Sequence, residues 1–382
     1  MKEKLLYVHD HKFIQKEDGL YSTGGLTIEI IEILKKLYGN ISICSRLKDE
    51  ETINVQKVFN QLHKHYVLPD LKINNVLKLY SFIKDYKRAL KQYDKIVIRL
   101  PSIAGVITYF LSNSKQKIII DIAGCGFDSY WALKGIKTKF LAIFMYLMMR
   151  YIAYKVNNIS YVTQKYLQNK YPSGAKNKLA CTDAFVHFDE EKFKFRIKSI
   201  NKRNNKPIKI GMVGNYETTY KGFDTALMSI KTLNQNNGNG RYLLSIVGGG
   251  SKQKLVNIAH KLNIVKHIKF EGPLTRNQIF NWIDSLDILI HPSRVEGLPR
   301  TIIEALSRSC PIIASKIGGI PEILDTEQLF NPRKQKDLTN LIETFSTEAN
   351  LIKYATKSYK KSILFEEVII INKWENYYRN AN

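Results

Sequence analysis

From Pro207 to Pro321, short apolar runs alternate with stretches whose apolar positions recur at helical spacing. The runs are Ile208–Gly214, Leu243–Val247, Ile268–Phe270, Asp287–Ile290 and Pro311–Ala314. A segment apolar on both faces suits a strand buried in a parallel sheet. Between the runs, helices are predicted from Lys221 through Leu227, over Leu255–His260 and over Gln278–Ser285. Strands alternating with helices predict a doubly wound parallel sheet, whose ligand belongs at the carboxyl ends of its strands. The loops Gly248–Gly249–Gly250, Glu271–Gly272–Pro273, His291–Pro292–Ser293 and Gly318–Gly319 all fall at such ends.

The first half of the chain alternates less cleanly. Leu5–Val8, Ile41–Cys44, Ile96–Ile98, Ile118–Ile122 and Tyr161–Thr163 are predicted strands, and Leu26–Tyr38 and Leu77–Tyr93 predicted helices. The polar, charged stretch Phe188–Lys206 reads as a linker between an N-terminal domain, 1–195, and a C-terminal domain, 207–362. The aromatic-rich segment Ile363–Tyr378 predicts a helix, within 363–382, that returns across the first domain. The fold class is α/β: two Rossmann-like, doubly wound parallel-sheet domains facing across a cleft.

Composition changes the picture in two places. The four cysteines, Cys44, Cys125, Cys181 and Cys310, are scattered, with neither CxxC nor metal-ligand spacing, as in a reduced cytosolic enzyme. Met1–Lys2–Glu3–Lys4 runs straight into the first strand, so no leader is expected. The formal charge of +25 is large. Nucleic acid is not expected as a partner, because no aromatic–basic stripe, zinc-finger spacing or RNP-like motif is present. A biased genome accounts for some of the Lys, and an anionic membrane surface for more. Lys139–Lys155 supplies the apolar half of a membrane contact. Its uninterrupted run is shorter than the ~20 residues a bilayer needs. Lys134, Lys137, Lys139, Arg150 and Lys155 flank or interrupt it, as in a helix lying in the interface; a helix buried between sheet and neighbours is the other reading.

The chemistry gathers around Glu296–Gly297–Leu298–Pro299, with Glu304 eight positions beyond Glu296. Pro299 suits the first position of a helix, leaving the amides of Gly297 and Leu298 at its positive end, a seat for an anion. A carboxylate beside an anion seat repels phosphate but accepts hydroxyls, so a sugar nucleotide fits both. Lys221 at a helix start is unfavourable for the dipole; it serves a phosphate or is merely solvated. Gly24–Gly25 offers bare backbone to a phosphate or sugar, or makes an ordinary turn. No GxGxxG opens the first strand–helix turn, against a dehydrogenase. No acidic or His/Cys cluster suggests a divalent metal, so phosphate charge falls to Lys221, to helix amides and to Arg276, Arg294 or Arg300.

In order and spacing, a series of motifs resembles the donor domain of the GT-B glycosyltransferases, specifically the retaining family 4. The series is Gly211–x–x–Gly214 with Lys221–Gly222, Val247–Gly248–x–Gly250, Phe270–x–Gly272, Pro292–Ser293–x–x–Glu296–Gly297–Leu298–Pro299, Glu304–Ala305–Leu306 and Gly318–Gly319–Ile320–Pro321–Glu322. It spans about a third of the chain. Arg99–Leu100–Pro101–Ser102, Gly124–Cys125–Gly126–Phe127–Asp128 and Tyr161–Val162–Thr163 resemble bacterial enzymes of capsule and O-antigen clusters.

The resemblance implies retaining, metal-independent transfer from a nucleotide-diphosphate sugar, UDP being expected, to a lipid-linked saccharide at the cytoplasmic membrane face. The nucleotide sugar is a co-substrate, and no cofactor is expected. Glu304 takes the ribose, Glu296 with Gly297 and Leu298 the donor sugar, and Lys221 with Gly24 and Gly25 the diphosphate. Gly214, Gly272 and Arg300 complete the donor site, while Asp128 and Arg99 face the acceptor. The chain departs from the family by lacking a basic residue between Gly214 and Lys221, and by reading Asp121–Ile122–Ala123–Gly124 where many members carry an acceptor-side His. A non-catalytic basic adaptor on this scaffold, or a nucleotide-sugar epimerase of the same form, are the alternatives.

Overall fold

The computed structural model describes residues 4–22, 28–48, 56–59, 64–69, 76–187, 189–203, 206–238 and 240–381. It divides into two compact units, Met1–Asp183 with Ile370–Asn382, and Ala184–Ile369.

The first unit contains β1 (Leu5–Lys16), β2 (Gly19–Ser22), α1 (Ile28–Tyr38), β3 (Ile41–Leu47), β4 (Gln56–Phe59) and β5 (His65–Val67). It continues with α2 (Val76–Leu90), β6 (Lys95–Leu100), α3 (Ile103–Leu111), β7 (Lys117–Ile122) and α4 (Gly126–Trp131). Next come α5 (Ile136–Lys155), β8 (Asn158–Tyr161), α6 (Tyr166–Lys170) and β9 (Asn177–Ala180). Strands β5, β3, β1, β6, β7, β8 and β9 lie side by side in parallel, and β2 and β4 extend antiparallel from the far end of β1. Central β6 is buried along its whole length, which is why Ile96–Ile98 is apolar without alternation.

The second unit holds α7 (Glu190–Asn201), β10 (Ile208–Val213), α8 (Phe223–Asn236), β11 (Tyr242–Val247), α9 (Gln253–Lys261), β12 (Ile268–Gly272) and α10 (Arg276–Asp284). There follow β13 (Ile288–His291), α11 (Arg300–Ser307), β14 (Ile312–Ser315), β15 (Leu329–Phe330), α12 (Gln335–Phe345) and α13 (Glu348–Ser362). The order is β12-β11-β10-β13-β14-β15, all parallel. Chain direction across the sheet reverses between β10 and β13, where Ile210 pairs with Ile288. Crevices outside the strand carboxyl ends at such a reversal are where open α/β sheets bind ligands.

Four expectations about elements change. The strand expected at Tyr161–Thr163 is β8, Asn158–Tyr161, whose buried Asn158 and Ser160 donate to Ile118 O and Asp121 Oδ1 and so break the apolar run. The stretch read as a linker contains α7, and its Arg196 is buried, donating to the carbonyls of Ile283, Leu286 and Arg308. Charged composition hid a helix fixed to the second unit by one guanidinium. The segment read as a single C-terminal helix is a short turn, Ile363–Phe365, followed by α14 (Glu367–Arg379). Its Trp374 is fully buried and donates to Thr182 O at 2.9 Å, while Tyr378 OH donates to Asp121 Oδ2 at 2.8 Å. Pro299 caps α11 rather than opening it; the helix begins at Arg300.

Candidate active site

The reversal in the second sheet brings together two loops distant in sequence. One follows β10 through the helical turn Thr219–Lys221 to Gly222, and the other follows β13 from Pro292 to Pro299. Gly222 adopts φ +77°, and a Cβ there would lie 2.1 Å from Pro292 O, so a residue with no side chain lets the loops touch. The contact delivers Lys221 Nζ to Glu296 Oε1 at 2.7 Å. His291 Nε2, at the buried end of β13, meets the same oxygen at 2.8 Å. An ionised carboxylate only accepts, so His291 carries a proton on Nε2.

Burial alone would push the Glu296 carboxyl up. The charge and hydrogen bond of His291, then those of Lys221, overcome it and hold the group down at about 2. Glu296 is thus an anion at neutral pH, with lone pairs still open to hydroxyl donors. Its loop is braced from the other side: Gly319 N donates to Gly297 O at 2.7 Å, and a Cβ on Gly318, at φ +55°, would fall 2.2 Å from Glu296 O. No side chain caps α11, whose first turn adjoins Gly297 and Leu298. Glu304 lies half-buried further along α11.

The candidates for a second positive charge separate. Arg294 is spent on the start of α8, bonding Asp224 Oδ2 at 2.7 Å, Thr225 Oγ1 at 3.2 Å and Thr219 O at 3.2 Å. Arg276 donates to Phe185 O. Arg300 stands half-buried at the first position of α11.

Beside these loops, at the carboxyl ends of β11 and β12, a cavity of about 560 Å³ is lined by Tyr216, Gly248–Gln253 and Phe270–Pro273. Tyr216 organises it, its hydroxyl donating to Ile246 O at 3.1 Å and accepting Gly272 N at 3.0 Å. Gly272 in turn accepts Gly248 N, and Gly214 N donates to Val247 O. Gly214 and Gly272 therefore both shape the floor of one surface. Tyr216 and the hydrogen-bonding role of His291 were not read from sequence. The only signal for His291 was a polar residue ending a buried apolar run.

In the first unit the expectation for Arg99 needs correction. Arg99 is buried and pairs with buried Asp183. Its neighbour Asp121 is lifted by burial to about 6, against the pull of Ser160, Arg99 and Tyr378. Arg99 therefore ties buried β6 to the loop after β9 and offers no exposed guanidinium. Asp128 is half-buried and accepts Lys170 Nζ at 2.6 Å and Tyr166 OH, linking α4 to α6. Burial opposes its ionisation, but Lys170 and Tyr166 prevail and lower its pKa. Lys170, missed in sequence, completes this pair. Gly24 and Gly25 lie outside the described residues.

Two Rossmann-like parallel sheets define a GT-B architecture, and solved structures agree. Sucrose-phosphate synthase from Thermosynechococcus elongatus superposes with a TM-score of 0.73 at 15% identity over 98% of each chain. Anabaena HepE in complex with UDP-glucose gives 0.68 at 14% identity over 99% of each chain. The family model described as Glycosyl transferases group 1 matches residues 193–362, and the chain belongs to that family. It is similar along nearly its whole length to Protein CapJ of Staphylococcus aureus, at 30% identity over 347 residues, 89% of this chain and 85% of CapJ.

Proposed function

We propose that this glycosyltransferase moves a sugar from a UDP-linked donor to a lipid-linked saccharide at the inner face of the cell membrane, in assembly of a capsule or O-antigen type of polysaccharide. The observation that carries the reading is the Lys221–Glu296–His291 cluster at the reversal of the second sheet. Similarity to CapJ supports the pathway. The fold shared with HepE, solved in complex with UDP-glucose, supports the donor class.

In this reading the base enters the cavity beside Tyr216 and Gly272, and the ribose hydroxyls reach Glu304. Lys221, Arg300 and the first amides of α11 face the diphosphate. Glu296 accepts a hydroxyl of the donor sugar while holding Lys221 in place. As the bond from the anomeric carbon to the diphosphate oxygen breaks, Lys221 stabilises the charge that develops there. The acceptor oxygen bonds to the same face of the anomeric carbon, and its proton passes to the departing phosphate oxygen. Retention follows from attack on the leaving-group face. The local positive charges offset the diphosphate without a divalent cation.

The test is NMR of the glycoside formed from purified enzyme, UDP-sugar and acceptor in excess EDTA. The reading predicts a product with the donor's anomeric configuration at an undiminished rate. An inverted product, or turnover restored only by Mg²⁺ or Mn²⁺, contradicts it.

A further inference from the structure

Helix α5 is apolar on two opposite faces. Ala142, Met145, Met149, Ile152 and Ala153 are fully buried and fix the helix against the first unit. At 100° per residue, Phe140, Ile143, Phe144, Leu147, Tyr151 and Tyr154 form a stripe on the other side, and all six are exposed. Phe140 is 68%, Leu147 53% and Tyr154 69% accessible. The stripe continues onto α3, where exposed Phe110 stacks on Tyr151 with ring centroids 5.9 Å apart.

The same helical geometry places Lys137 and Lys155 along one edge of the stripe, and Lys139 and Arg150 along the other. Lys139 lies over the Trp131 ring and Arg150 over Tyr146, so their stems lie along aromatic surface. From Asp128 to Asp183 the intervening chain holds nine Lys and Arg and no Asp or Glu. Among the described residues no helix is long and apolar enough to cross a membrane.

We infer that this face of α5, with Phe110, is the surface by which the first unit lies on an anionic lipid bilayer. The stripe sinks to the acyl boundary and the two basic edges meet the headgroups. Charge complementarity selects this occupant: an apolar protein partner would need no cationic border on both sides, and a second copy would bring like charges together. The inference deepens the membrane-face reading above and rests on it for its setting, but its test requires no sugar transfer.

The experiment is co-sedimentation of the full chain with phosphatidylcholine vesicles, with or without phosphatidylglycerol. Salt is varied from 0.1 M to 1 M, over which the Debye length falls from about 10 Å to about 3 Å. The wild type should bind the anionic vesicles at low salt and lose roughly tenfold or more at high salt or on neutral lipid. The Phe140→Ser/Leu147→Ser variant should bind roughly tenfold more weakly with an unchanged melting temperature, since both side chains are exposed. Lys137→Gln/Lys155→Gln should bind more weakly and with a shallower salt dependence. Nucleoside diphosphate binding, measured on the same samples, should be equal in all three proteins. Absence of wild-type binding, or equal vesicle binding by the variants, overturns the assignment. So does a self-association of the wild type that Phe140→Ser/Leu147→Ser abolishes. If vesicle binding behaves as described but no nucleoside diphosphate binds, the transferase reading falls and the docking surface stands.

Discussion

Glu296 holds two donors on a single oxygen, Lys221 at 2.7 Å and His291 at 2.8 Å, and this makes its ionisation a structural quantity. Its folded pKa of about 2 lies below the ordinary 4.5, so the stabilisation it provides is fully present above pH 4.5. It is lost as pH falls from there towards 2. Urea unfolding of the wild type and Glu296→Gln should differ by about 1–3 kcal/mol at neutral pH, and the gap should close between pH 4.5 and 2. A gap independent of pH would show that the carboxylate is not held by these partners. At this scale the sequence was informative where chain neighbours determine the chemistry. Glu296, Gly297 and Leu298 sit on one loop before a Pro-capped helix, and that local pattern is visible in the residues themselves. Arg99 misled, because its partner Asp183 is remote in sequence and no local pattern announces a buried ion pair.

At the scale of elements, the apolar runs gave the inner strands of both sheets except β8, since a parallel strand covered on both faces is mostly apolar, whereas β8 buries Asn158 and Ser160. Among the edge strands β12 left such a trace in Ile268–Phe270, and β9 and β15 did not. Strand β9, Asn177–Lys178–Leu179–Ala180, is only partly covered, and β15 has two residues. Helix α7 was read as linker because Arg196, its decisive buried side chain, is charged. Helix α5 carries one buried apolar face, with Met145 and Met149, and one exposed apolar face, with Phe140 and Leu147. The junction before α8 yields a prediction. With φ at +77° and Pro292 O where a Cβ would go, Gly222→Ala should destabilise the second unit by about 1–3 kcal/mol. It should also weaken nucleotide binding by moving Lys221 off Glu296. Thermal melts with calorimetry check both, and a variant with unaltered stability would mean that the loops do not depend on this approach.

For the whole molecule, each unit repeats the same logic, a parallel sheet whose order reverses beside its first strand, and in the second unit the reversal gathers the polar cluster. Doubly wound sheets host many chemistries, so the architecture alone does not choose among them. Membership of the group 1 glycosyl transferases and the cluster at that reversal together do. A basic adaptor would have no need for Lys221, Glu296 and His291 to converge at the mouth of the sheet. The most direct measurement is calorimetric titration of the purified protein with UDP, GDP, ADP and TDP. UDP should bind with one site per chain. Loss of the charge in Lys221→Ala should weaken binding about 10- to 100-fold, and Glu304→Ala should cost about 1–3 kcal/mol with an unchanged melting temperature. Failure of every nucleoside diphosphate to bind, or binding that neither substitution disturbs, would show that the cluster at the reversal of the second sheet is not a donor site.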